Sequence, residues 1–63
     1  MNMSTIHAFL LVQGDVLVCP KTQTEEKITR IERRSGGMLF VRTVRHDHRI
    51  HKDDIVQVIE KES

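Results

Sequence analysis

Apolar positions in this chain come in short runs broken by turn signals, and no stretch longer than ten residues keeps a helical period. Gly14-Asp15 is a turn signal. It is followed by Val16-Leu17-Val18-Cys19, a short β-branched run that Pro20 ends. Lys21 to Glu26 is polar and aperiodic, which predicts a loop. Ile28 to Arg33 sets Ile28, Thr29 and Ile31 among charges, the pattern of an exposed, bulged strand. Arg34-Ser35-Gly36-Gly37 is the clearest break, because paired glycines reach the positive φ that a tight hairpin needs. Met38 to Val44 starts apolar at both phases and then turns polar, as a central strand curving through a small barrel does. His46-Asp47-His48 predicts a turn, Arg49-Ile50-His51 a short strand, and Lys52-Asp53-Asp54 another break. Ile55 to Ile59 predicts the last strand, since four of its five residues are β-branched; the competing helix over 53–61 has only an Asp53 N-cap in its favour. Ile6 to Val12 is read as a strand.

Five or six short strands with tight turns predict an all-β, antiparallel barrel occupying 1–63 as a single domain. Closure would remove the exposed edges of so small a sheet. The expected core is Val16, Val18, Ile28, Ile31, Leu39, Val41, Val44, Ile50, Ile55 and Val58, with Phe9 and Phe40 in apolar runs beside it. Ile6 to Val12 holds more apolar side chain than one face of such a barrel needs, which predicts a homodimer joined through that segment. A sixth strand within the monomer is the alternative.

The single cysteine, Cys19, excludes an internal disulfide and is read as a small core residue. Met1 to Thr5 has no Lys or Arg, and the run Ala8 to Val12 stops at Gln13, so no secretion signal is read there. No run approaches the ~20 apolar residues of a membrane span. These readings place the chain in the cytoplasm. The net charge of +1 conceals an uneven distribution: residues 27–52 carry eight Lys and Arg against Glu32 and Asp47, a local +6 between acidic ends. A basic middle of this kind attracts phosphate or an acidic protein surface.

The order Gly14-Asp15-x-Leu17-x-Cys19, the Ile28–Ile31 run, the glycine hairpin, Leu39 to Val44 and then Lys52-Asp53-Asp54-Ile55-x-x-Val58 resembles SH3-like small barrels. The resemblance spans 14–59 and implies an SH3-like barrel of the kind found in bacterial, phage and plasmid accessory proteins. Fold likeness of this sort does not carry a function with it. His51-Lys52-Asp53-Asp54-Ile55 is also similar to a step near the end of the carbon-storage-regulator family, which are RNA-binding β-dimers. That family's Arg-rich first strand has no counterpart in Ile6 to Val12, which contains no Arg.

The chain offers three kinds of candidate chemistry. His46, His48 and His51 are the only metal candidates, with Asp47 between the first two; on a continuous strand His51 faces away from them, so no metal is assigned. Catalysis is not expected: there is no phosphate-cradling glycine loop, no legible nucleophile–base pairing, and Glu25-Glu26 and Asp53-Asp54 read as exposed. No cofactor is expected either. The remaining candidates are Arg30, Arg33, Arg34, Arg42, Arg45 and Arg49, as contacts for an acidic protein or for nucleic-acid phosphates. Protein docking is put first and nucleic-acid regulation second, because the chain has two Phe, no Trp and no Tyr, and single-strand binders stack bases on aromatic rings. Convergence of the arginines on one face is the feature that separates the two.

Overall fold

The computed structural model describes residues 3–60, all of them in one antiparallel sheet and its turns. The strands are β1 (Met3–His7), β2 (Val16–Val18), β3 (Glu25–Arg33), β4 (Met38–Thr43), β5 (Asp47–His51) and β6 (Ile55–Ile59). Their order across the sheet is β1-β6-β2-β3-β4-β5. The sheet curls but does not close, because β1 and β5 lie at its two edges and do not pair with each other. No helix among the described residues is long and apolar enough to cross a membrane.

β3 joins the two halves of the sheet: Glu25 to Lys27 pair with β2, and Ile28 to Arg33 pair with β4. Between these partners the register shifts, with Ile28 opposite Thr43 and Arg30 opposite Arg42, so Thr29 is an extra residue. The bulge lets Ile28 point inward while Thr29 and Arg30 both point outward. It also resets the phase of everything that follows, placing Ile31 inside and Arg30 and Glu32 outside. The β3–β4 hairpin is closed by a 3-10 turn at Ser35–Gly37, with Gly36 and Gly37 at φ 76° and 77° and the Arg34 N–H donating to the Met38 carbonyl at 2.8 Å.

Ala8, Leu11, Leu17, Ile28, Leu39, Val41 and Val58 form the core, with Ile6, Ile31, Ile50 and Val56 packed around them. Burying a Leu or Ile side chain stabilises by about 1.5–3 kcal/mol, so a cluster this small dominates the stability of the fold. Two expected core residues lie outside: Val44 is 64% and Ile55 58% exposed. Val44 follows the inward Thr43 in the alternation of β4, and Ile55 is opposite the outward His7 on β1. Phe9 and Phe40 also lie outside the core.

The segment 6–12 is only partly strand. β1 starts earlier, at Met3, and ends at His7; Ala8–Leu10 then form a 3-10 turn. That turn is tied to the β5–β6 connection by Ala8 N–H to Asp54 carbonyl (2.8 Å) and Phe9 N–H to Lys52 carbonyl (3.0 Å). The tie turns Ala8 and Leu11 inward as a plug, and both are fully buried. Two boundaries also differ from expectation. β3 begins inside the expected loop, at Glu25, and β5 inside the expected turn, at Asp47, since strand pairing extends wherever backbone partners are in reach.

Candidate functional site

Register assigns each arginine to a face. On the outer surface of β3–β4–β5, Arg30, Arg42 and Asp47 form one cross-strand row, and Glu32, Phe40 and Arg49 form the next. Arg34, just past β3, reaches over the same surface, its guanidinium carbon 4.2 Å from the Phe40 ring centroid. Arg49 covers the ring from the other strand at 5.4 Å. Arg30, Arg34, Arg42 and Arg49 therefore converge around one outward-facing aromatic ring. Arg33 does not join them: it is opposite the inward Leu39, and its Nη2 donates to the Leu11 carbonyl at 3.4 Å. Arg45 lies in the β4–β5 turn.

The converged face is partly neutralised. Glu32 takes Arg30 at 3.0 Å and Arg34 at 2.8 Å, and Asp47 takes Arg42 at 3.1 Å. The Arg34 hydrogen bond, aided by the charge of Arg30, holds the Glu32 carboxyl below its ordinary range. Arg30 and Arg42 stand directly opposite each other, an unfavourable like-charge pair unless anions sit beside them. Arg49 has no carboxylate partner among the described residues. Between these side chains lies a depression of about 200 Å³, which His48 also lines.

A second cluster lies inside. Glu26, expected at the surface, is fully buried, in an inward row with Leu17 and Val58. Its Oε1 accepts from Thr43 Oγ1 at 2.7 Å and from His48 Nε2 at 2.9 Å. Its Oε2 accepts from Thr24 Oγ1 and His46 Nδ1, both at 3.1 Å. An ionised carboxylate only accepts, so both imidazoles donate here. Burial by itself pushes the Glu26 carboxyl up, but donation from His48, Thr43, His46 and Thr24 outweighs it and holds the group down at about 2. Cys19, buried just beyond β2, completes a group with Glu26 and His48 whose donor atoms all lie within 4.8 Å of one another.

The three histidines thus divide. His46 and His48 meet on Glu26, while His51 lies on the outer side of β5 opposite Met38, its Nδ1 accepting from the Asp53 N–H. Sequence reasoning missed Glu26, Thr43 and the approach of Cys19. One signal was available: Thr24, Glu26 and Ile28 alternate in phase, which puts the acid on the same side as a core isoleucine. No protein-family model, curated protein or solved structure matches this chain.

Proposed function

We propose that this chain is a small non-catalytic binding module whose β3–β4–β5 outer face takes the phosphates and bases of a single-stranded nucleic acid. The observation that carries the reading is the gathering of Arg30, Arg34, Arg42 and Arg49 around Phe40. A guanidinium stacked on an aromatic ring is held flat, and its open side is a plane on which a base can stack. The opposed Arg30 and Arg42 are relieved by any added anion, so phosphate can replace or join Glu32 and Asp47. The sequence put docking on an acidic protein first; the missing Trp and Tyr weigh less once Phe40 faces outward.

Salt separates them. Binding to a short single strand through these four arginines is expected to show a log–log salt slope of about −3. Arg49→Ala, which breaks no carboxylate pair, should reduce that slope by about one and weaken binding across all sequences. Arg33→Ala, on the other face, should leave the slope unchanged. No retention of single-stranded DNA or RNA at low salt would remove the nucleic-acid reading. Capture of a stoichiometric acidic protein that Arg49→Ala releases would then replace it.

A further inference from the structure

We propose that Cys19, Glu26 and His48 form a binding site for a zinc-type divalent cation, set behind the arginine face, whose depression His48 also lines. Thiolate, carboxylate and imidazole together are the donor chemistry of zinc, softer than calcium or magnesium accept. Tetrahedral coordination at ordinary zinc distances places donor atoms about 3.3–3.6 Å apart. The Glu26 Oε1 to His48 Nε2 separation is 2.9 Å, and all three donors fall within 4.8 Å, so sub-ångström to ångström side-chain shifts suffice.

The surroundings fit. Thr24 and His46 hold the other carboxylate oxygen, Oε2, which orients the group while Oε1 turns to a metal. Three protein donors leave a fourth position to water. His48 has 17% of its side chain exposed and His46 57%, which gives an ion a route in from the β4–β5 turn. Charge balances as well: one thiolate and one carboxylate neutralise a dication, removing the cost of a buried net charge. Loading displaces the Cys19 thiol proton to solvent, and the His48 proton shared with Glu26 moves to the other ring nitrogen, freeing a lone pair. A small domain without disulfides gains most from such a staple.

The test is titration of the reduced full chain with Co²⁺ and then Zn²⁺. One equivalent of Co²⁺ should produce a thiolate charge-transfer band in the near ultraviolet, which Zn²⁺ then abolishes. Zn²⁺ at about a hundred times its Kd should raise Tm by roughly 10–20 °C. Cys19→Ser should lose the band, and His48→Gln should weaken binding at least about tenfold. If either variant does not fold, Ellman's reagent on the wild type decides: bound Zn²⁺ should slow its reaction with Cys19 at least about tenfold. Absence of the band, an unchanged thiol rate, or Zn²⁺ binding that survives in both variants would each overturn the site.

Discussion

At the scale of single residues, Glu26 is the position where this fold departs furthest from a plain apolar barrel. A buried carboxylate is tolerable only when its lone pairs are filled, and Thr24, Thr43, His46 and His48 fill them from the β2–β3 connection, β4, the β4–β5 turn and β5. Glu26→Gln keeps the shape but turns one acceptor into a donor aimed at donors. It is expected to cost about 2–3 kcal/mol in urea unfolding. The pH dependence of the metal-free protein has a definite sign. The folded carboxyl titrates at about 2, below its ordinary value near 4.5, so the stability it contributes is fully present above that ordinary value. It is lost as pH falls from there toward 2. Melting temperatures measured from pH 6 to 2 should therefore drop across that window in the wild type and drop less in Glu26→Gln. A flat wild-type profile would show that the network does not hold the charge.

At the scale of elements, the bulge in β3 and the β3–β4 turn decide what each strand presents. Were Thr29 to take its own place in the ladder, regular alternation would turn Arg30 inward after Ile28 and take it, with Glu32, off the outer face. The turn depends on two glycines with unequal constraints. Both have φ near +76°, which an L residue reaches only at about 1 kcal/mol or more. A Cβ at Gly36 would meet nothing within 4 Å, whereas one at Gly37 would lie 3.0 Å from His51 Nε2 and 3.2 Å from the Lys52 side chain. Gly36→Ala should thus cost about 1 kcal/mol and Gly37→Ala measurably more, compared by chemical denaturation. Equal costs would mean that the β5 end is free to move away from the turn.

At the scale of the whole molecule, the open sheet leaves two edges and an apolar corner. Phe9, Leu10 and Val12 project from the plug that Ala8 and Leu11 anchor, each about half exposed. These side chains support the homodimer we propose on sequence grounds, with the 3-10 turn and the segment after it at the contact. Sedimentation equilibrium at micromolar concentration should give twice the chain mass, and Leu10→Glu should return it to one. A wild type that sediments as a single chain would refute the dimer without touching the arginine face, which lies on other strands.

Much of the architecture was written in local pattern. Alternation, β-branched runs and paired glycines specify the all-β class, the hairpin at Ser35–Gly37 and the β6 span, because strand period and turn conformation are properties of neighbouring residues. The bulge in β3 was visible for the same reason, as charges interrupting Ile28 and Ile31. Which face each residue takes was decided elsewhere. The phase of β4 follows from its register with β3 and β5, and that register turned Phe40 and Val44 outward although both sit in apolar runs. The convergence of Arg34 and Arg49 on one ring, and of Cys19 and His48 on Glu26, joins residues 15 to 29 positions apart in the chain. Such meetings are set by strand order, register and the curl of the sheet, and no local preference encodes them.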